Sequence, residues 1–176
     1  MKRVTLFTAC LVAFAFCPAV STAGELKAGD PAPNFTLQAS DGRTYTLADF
    51  KGKRAVVLAW FPKAFTHGCT LECKSLAEHG DLIRQYDVAY FMISIDALDD
   101  NKGFAEQQHA DFPLLSDPTK KTAKAYGVLG MLGMANRWTF YIDKDGKIQA
   151  IDKQVRPATS AEDLSAKLHD LGTPRR

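Results

Sequence analysis

Two short runs of almost purely apolar residues constrain the fold of this chain more than any other feature. They occupy residues 54–61 (RAVVLAWF) and residues 88–95 (VAYFMISI). A strand with one exposed face alternates apolar and polar residues, so these runs predict strands buried on both faces of a central sheet. Between them, residues 70–86 are predicted to form one helix. Its buried side would carry Leu71, Leu76, Ile83 and Tyr86.

The remaining elements extend this unit at both ends. Residues 41–42 (DG) and 144–146 (KDG) are typical of tight turns, and each predicts a β-hairpin. The other predicted strands cover residues 34–37, 44–47, 112–115, 137–143 and 147–152. The other predicted helices cover residues 99–109, residues 117–126 with Pro118 in the first turn, and a last helix capped by Thr159 or Ser160 that contains Leu164 and Leu168. This order predicts an α/β, thioredoxin-like fold: a mixed central sheet with helices on both faces and an N-terminal β-hairpin extension.

Residues 1–23 have the pattern of a signal peptide. Lys2 and Arg3 precede an apolar run over residues 4–17, and small residues follow. The run is shorter than the roughly 20 residues of a membrane span, so cleavage is favoured over an uncleaved anchor, which stays the alternative. We therefore expect a periplasmic or secreted protein with one domain, residues 24–176.

Charge gives no indication of a nucleic-acid or membrane partner after cleavage. Loss of Lys2 and Arg3 would reduce the 22 basic residues to the number of acidic ones, 20. A balanced chain of this kind lacks the basic excess that is typical of proteins that bind polyanions.

Cleavage would also remove Cys10 and Cys17, which leaves Cys69 and Cys73. Their spacing is that of neither a thioredoxin redox pair nor a haem attachment site. A disulfide that closes so short a loop restricts the unfolded chain little, so it would add little stability. The pair therefore indicates chemistry more than structural cross-linking.

Cys69 is predicted to lie where the strand over residues 54–61 gives way to a helix. Free N–H groups and the helix dipole favour an anion there, so its thiol is expected to be partly ionised. A helix end typically supplies only about 0.3 to 1 kcal/mol, which is less than full ionisation requires. We therefore expect further donors, with the Thr66 hydroxyl and the Arg137 guanidinium as candidates. The alternative for Arg137 is an exposed side chain at a strand end.

The segment that contains these residues resembles the active-site loop of the peroxiredoxins. Residues 61–72 read FPKAFTHGCTLE, and Pro62, Thr66 and Cys69 match the family pattern P-x-x-x-T-x-x-C. Glu72 also matches a common position. The stretches KAGDPAPNFTL, DGRTYTLADFKGK, FPLLSDP and RWTFYIDKDGKI resemble the family in its expected order. The resemblance covers nearly all of residues 26–168 and is closest to the Q-type, or bacterioferritin-comigratory, branch of the AhpC/TSA superfamily.

The resemblance implies a thiol-dependent peroxidase for hydrogen peroxide and organic hydroperoxides. Cys69 would attack the peroxide and become a sulfenic acid. Thr66 and Arg137 would hold the peroxide, and Pro62 would shield the sulfenic acid from water. The resemblance further implies no cofactor, no metal, a thioredoxin-like reductant protein and a monomer.

The chain departs from the family at two positions. His67 stands where proline is usual, and Cys73 lies four residues after Cys69, where the branch usually has five. Helical neighbours four apart have Cα atoms about 6 Å apart, within the range of disulfides, but their side chains stand roughly parallel. Our hypothesis is that Cys73 resolves the sulfenic acid as an intramolecular disulfide once the first helical turn loosens. The alternative is a buried Cys73, with an external thiol as the resolving group.

A rival interpretation is a copper-binding protein. Residues 65–73 (FTHGCTLEC) also resemble the C-x-x-x-C segment of Sco-type copper chaperones, and His67 and His79 flank the cysteines. Sco proteins place the required histidine late in the fold, where this chain has none except His169 in the last predicted helix. A third possibility is a thiol oxidoreductase for protein disulfides, or an inactive relative. The complete peroxiredoxin loop pattern argues against both.

Overall fold

The computed structural model describes residues 25–176. The predicted signal peptide, residues 1–23, lies outside the described residues. Over residues 25–176 the chain forms one seven-stranded mixed sheet with the strand order β2-β1-β5-β4-β3-β6-β7. The strands are β1 Thr36–Ala39, β2 Thr44–Thr46, β3 Ala55–Trp60, β4 Val88–Ser94, β5 Leu114–Ser116, β6 Thr139–Ile142 and β7 Ile148–Asp152. None of the described helices is both long and apolar enough to cross a membrane.

Five α-helices accompany the sheet in this part of the chain. They are α1 His67–Glu78, α2 Asp81–Arg84, α3 Leu98–Gln107, α4 Lys121–Ala125 and α5 Ser160–Asp170, with short 3-10 turns at Leu47–Phe50 and Pro157–Thr159. Buried side chains of α1, α2, α3 and α5 pack on one face of the sheet. Buried side chains of α4 and of the first 3-10 turn pack on the other. The predicted mixed sheet with helices on both faces is therefore confirmed.

The two apolar runs form β3 and β4, which pair in parallel in the interior of the sheet. Successive residues of β3 enter opposite cores: Val57 and Ala59 face one helical layer, and Val56 and Leu58 face the other. This two-sided burial explains why the runs contain almost no polar residues. Both predicted hairpins are present, as β1–β2 and β6–β7. The β1–β2 hairpin joins the sheet where β1 pairs antiparallel with β5.

The helix predicted over residues 70–86 is wrong in its bounds and in one buried residue. Helix α1 begins at His67, and α1 and α2 are separated at Gly80. A Cβ atom at Gly80 would lie 2.9 Å from the Leu76 carbonyl oxygen, so glycine permits the close approach at this break. Leu71 is exposed, because Cys69, Glu72, Cys73 and Leu76 occupy the buried side of α1.

Helix α4 begins later than predicted, at Lys121, so Pro118 does not open it. The Asp117 carboxylate accepts hydrogen bonds from the Thr119 hydroxyl at 3.1 Å and from the Ala123 N–H at 2.8 Å. Lys120 then adopts a left-handed conformation, with φ 59°. These bonds hold residues 117–120 as a turn before the helix starts.

The N-terminus of α5 is held by a side chain of α1. The helix begins at Ser160, directly after Thr159, and these were the two predicted cap residues, but neither side chain bonds to the helix backbone. The Thr159 hydroxyl donates instead to the Asp163 carboxylate at 2.9 Å. The Ala161 N–H donates to the Ser75 hydroxyl of α1 at 3.2 Å. This bond fixes the C-terminal half of α1 to α5, beyond the turn that carries Cys69.

Candidate active site

The loop between β3 and α1 is fixed by contacts from two other parts of the fold. The Ala64 N–H donates to the carboxylate of Asp96, just after β4, at 2.8 Å. Phe65 takes up a left-handed conformation, with φ 64°, and its ring packs in a T-shaped arrangement with that of Phe104 in α3, at 5.3 Å between centroids. A bulky residue in this conformation is strained, so the surrounding contacts must hold it. The loop thereby places Cys69 in the first turn of α1.

Arg137 lies beside the Cys69 sulfur, the position that the family resemblance implied, and is not an exposed side chain at a strand end. Its Nη2 donates to Cys69 Sγ at 3.1 Å. The two residues are brought together because β3 and β6 pair antiparallel, with Ala59 opposite Thr139. Arg137 precedes β6 by two residues, whereas the sequence predicted it at the start of the strand. A Cβ atom at Gly68 would lie 3.2 Å from Nη2, so the glycine leaves room for the guanidinium.

The other end of the guanidinium is held by Glu72. Arg137 Nη1 donates to a Glu72 carboxylate oxygen, and only 1% of the Glu72 side chain is exposed. Burial raises the pKa of Glu72 to about 7, although the charge and hydrogen bond of Arg137 act in the opposite direction. For Arg137, burial acts against the charged form, but Glu72 and Cys69 together raise its pKa above the ordinary value. The guanidinium is therefore fixed between a carboxyl group and the sulfur.

Cys73 lies one turn further along α1 and is fully buried. Burial raises the pKa of the Cys73 thiol to about 12, and the charges of Glu72 and Cys69 act in the same direction. In this conformation Cys73 is therefore a neutral thiol. Cys69 and Cys73 are both free cysteines here, so the predicted disulfide between them stays a prediction.

Thr66 and Pro62 both lie in the loop before α1, as predicted. The Thr66 hydroxyl does not donate to the Cys69 sulfur, however. The Thr66 hydroxyl donates to the Lys63 carbonyl at 2.8 Å. This leaves its oxygen lone pairs free to accept a hydrogen bond from a bound molecule. Pro62 lines a surface groove together with Arg137 and residues 129–132 and 134–136. Arg137 both lines this groove and contacts the buried Cys69 sulfur, so the groove lies beside the thiol.

The copper interpretation finds no matching ligand set in residues 25–176. No group of three or more His, Cys, Asp or Glu side chains there could hold a metal ion. His67 is the first residue of α1 and His79 follows its last residue, so the two lie about 18 Å apart along the helix axis. The two histidines therefore cannot both approach the cysteine pair.

Two features of the site were missed by sequence reasoning. Asp96 was not singled out, although a carboxylate directly after a buried strand is a recognisable signal. The resemblance had marked Glu72 only as a matching position, and its pairing with Arg137 appears only in the folded chain. Its spacing of three residues from Cys69 does place the two side chains near the same side of a helix.

Comparison with known proteins identifies the family. Residues 28–151 match the AhpC/TSA family. The chain is 38% identical over 133 residues to peroxiredoxin Bcp of Escherichia coli (strain K12). This alignment covers 72% of this chain and 85% of the relative. It is also 38% identical over 127 residues to alkyl hydroperoxide reductase E of Mycobacterium tuberculosis (strain ATCC 25618 / H37Rv), covering 70% and 83% of the two chains.

Solved structures agree with this result. Peroxidoxin BcpB from Mycobacterium tuberculosis superposes with a TM-score of 0.74 at 30% identity, covering 82% of this chain and 97% of that one. A mutant of Xylella fastidiosa PrxQ superposes with a TM-score of 0.77 at 25% identity, covering 85% and 99%. The chain therefore belongs to the AhpC/TSA family, which makes it an enzyme of the peroxidase class. The predicted thioredoxin-like fold is confirmed.

The buried Glu72 predicts a measurable dependence of stability on pH. Its pKa is raised in the folded protein, so the folded state binds the proton more tightly than the unfolded state. Its stabilising contribution is full below about pH 4.5 and is lost as the pH rises to about 7. Across this window we expect the free energy of unfolding of wild type to fall by up to about 3 kcal/mol relative to that of Glu72→Gln.

Urea unfolding of both proteins at several pH values would measure this difference. The other titrating groups are common to the two proteins. The difference between their free energies of unfolding at each pH therefore reports the contribution of Glu72. Equal pH dependence in the two proteins would show that Glu72 titrates as an ordinary carboxyl group.

Proposed function

We propose that this protein reduces peroxides through the Cys69 sulfur. The observation that carries the proposal is the Arg137 guanidinium, which donates to Cys69 Sγ at 3.1 Å while Glu72 holds its other end. A peroxidase of this kind needs a nucleophilic sulfur beside fixed donors. Relatives named peroxiredoxin and alkyl hydroperoxide reductase support a peroxide as the substrate.

The first chemical step transfers one oxygen atom to sulfur. The Cys69 thiolate attacks one peroxide oxygen and the O–O bond breaks. The other oxygen takes a proton and leaves as water or an alcohol, and Cys69 becomes a sulfenic acid. Negative charge develops on the departing oxygen, and the fixed Arg137 donors stabilise it without further rearrangement. The Thr66 oxygen accepts a hydrogen bond from the peroxide, and Pro62 limits the access of water.

The second step condenses the sulfenic acid with the Cys73 thiol, releasing water and forming a disulfide. Both sulfurs are buried and both belong to α1, so this reaction requires the first turn of the helix to open. Opening also exposes the Cys73 thiol to water, which removes the burial that holds it neutral. The bond between Ser75 and Ala161 keeps the rest of α1 in place. A thioredoxin-like protein then reduces the disulfide and returns the enzyme to its starting state.

Peptide mapping tests the second step. Protein treated with one equivalent of peroxide is expected to be a monomer with a Cys69–Cys73 crosslink. The Cys73→Ser variant should form the sulfenic acid at the wild-type rate but turn over at least about tenfold more slowly with thioredoxin, because its resolving thiol is gone. Full turnover of that variant would instead identify an external thiol as the resolving group.

We further propose that the protein is exported and that its reductant is a periplasmic thioredoxin-like protein. The proposal rests on the signal-peptide pattern of residues 1–23. Expression of the full chain in a Gram-negative host should give periplasmic protein that begins at residue 24. Full-length protein retained in the membrane fraction would support the anchor alternative.

A further inference from the structure

Large apolar side chains that are exposed in residues 25–176 occur only in the segments that carry the active site. They are Phe65, Leu71, Met131, Leu132 and Met134. The first two flank Cys69 in sequence, and the other three belong to the segment that leads into Arg137. Single exposed apolar residues are normal on a protein surface. In contrast, these five exposed side chains all lie around one site, which is typical of an interaction surface.

The most exposed of them form the tip of a braced loop, residues 129–136, which we call the Met131 loop. Met131 is 105% exposed and Leu132 is 86% exposed. Three hydrogen bonds hold the loop below this tip: Gly130 N–H to the Met134 carbonyl at 2.8 Å, Asn136 N–H to the Val128 carbonyl at 2.7 Å, and Lys120 Nζ to the Gly133 carbonyl at 3.1 Å. The two apolar side chains are therefore presented outward by a fixed backbone.

We propose that the Met131 loop is the docking surface for the protein reductant of this enzyme. The proposal rests on the proposed function and adds to it the part of the chain that binds the reductant. The partner is a protein dithiol whose reactive cysteine lies in an apolar surface with acidic side chains around it.

The position of the loop favours a reductant as the occupant. The groove below Met131 is also lined by Pro62 and Arg137, so a protein seated on the tip covers the approach to Cys69. Both cysteines are buried until the first turn of α1 opens. Opening exposes apolar core to water, and a partner that is already in contact with the tip can cover it. A small thiol cannot supply this cover.

The charges around the site favour an acidic partner over a second copy of this chain. Lys63 is exposed in the active-site loop, and Lys120 braces the Met131 loop. A two-fold pairing through this surface would bring it against the same basic surface of the other copy. Acidic side chains around the partner's cysteine would complement this basic surface.

The double variant Met131→Ser/Leu132→Ser tests the proposal. Its matched control is Met131→Leu/Leu132→Met, which keeps the apolar area of the tip. The reductants are thioredoxin, regenerated by thioredoxin reductase and NADPH, and dithiothreitol. We expect the serine variant to raise the KM for thioredoxin at least about tenfold, and the control to stay within about twofold of wild type. Turnover with dithiothreitol and the rate of Cys69 oxidation by peroxide should not change.

Each other outcome overturns the proposal. An unchanged KM for thioredoxin would show that the loop does not bind the reductant. An equal loss with dithiothreitol would indicate a role in the helix opening or the fold. Slower oxidation by cumene hydroperoxide, with hydrogen peroxide unaffected, would make the loop a substrate subsite. A wild-type dimer that the serine variant dissociates in sedimentation would make it a self-association surface. Failure of peroxide to oxidise Cys69 in wild type would refute the proposed function itself.

Discussion

Cys69→Ser is expected to abolish peroxidase activity, with a fall of more than about 10³-fold in the rate of peroxide consumption. Serine is close to cysteine in size, so the fold and the position of Arg137 should survive. The hydroxyl is far less nucleophilic toward peroxide oxygen than a sulfur anion, and it forms no sulfenic acid. The loss should therefore be chemical and should not reflect unfolding.

Peroxide consumption with dithiothreitol, alongside far-UV circular dichroism and urea unfolding, would check this result. Cys73→Ser is the matched control, since it removes a sulfur from the same helix but keeps the first oxidation step. A Cys69→Ser protein that consumes peroxide at a rate near that of wild type would remove the central assignment.

Loss of the Arg137 guanidinium is expected to slow the oxidation of Cys69 by about 10²- to 10³-fold, as removal of one preorganised charge-stabilising donor does in other enzymes. Arg137→Lys should recover only part of this loss. A lysine keeps the positive charge, but it cannot hold Glu72 and donate to the sulfur with one planar group. Stopped-flow measurement of a single oxidation event separates this step from the reduction that follows.

The control for Arg137 must account for stability. Arg137→Gln alone leaves the buried Glu72 carboxyl without its cation, and breaking a buried pair in this way typically costs about 3 to 5 kcal/mol. The double variant Arg137→Gln/Glu72→Gln removes both members of the pair. We expect it to be more stable than the single variant and to oxidise equally slowly. Recovery of the wild-type oxidation rate in the double variant would show that the guanidinium acts through stability alone.

The interior strands could be predicted from sequence because their signal is local. Because β3 and β4 are buried on both faces, their sequences are almost entirely apolar. The hairpins are recognisable from the residues of their turns. The break at Gly80 and the late start of α4 could not be read in this way. The break at Gly80 depends on the approach of another part of the chain, the side chain of Tyr90. The late start of α4 depends on the hydrogen bonds of the Asp117 carboxylate within its own segment, which the pattern of apolar residues does not show.

The site was predictable only in part for the same reason. The strand-to-helix position of Cys69 follows from the local pattern, and so does the need for an extra donor. Arg137 lies 68 residues further along the chain, and only the pairing of β6 with β3 brings it to the sulfur. The family resemblance supplied this partner, whereas spacing alone could not have chosen it over an exposed arginine. The hydrogen bond between Glu72 and the guanidinium is visible only in the folded structure.

The most direct test of the account is to locate the first oxidised atom. Protein carrying Cys73→Ser would be mixed with one equivalent of hydrogen peroxide, trapped with dimedone and mapped by mass spectrometry, with Cys69→Ser treated identically. We predict rapid formation of the adduct on Cys69 in the first protein and none on Cys73 in the second. An adduct that forms on Cys73 as fast as on Cys69, or on neither residue, would contradict the claim that Arg137 and the fold select one sulfur for the reaction.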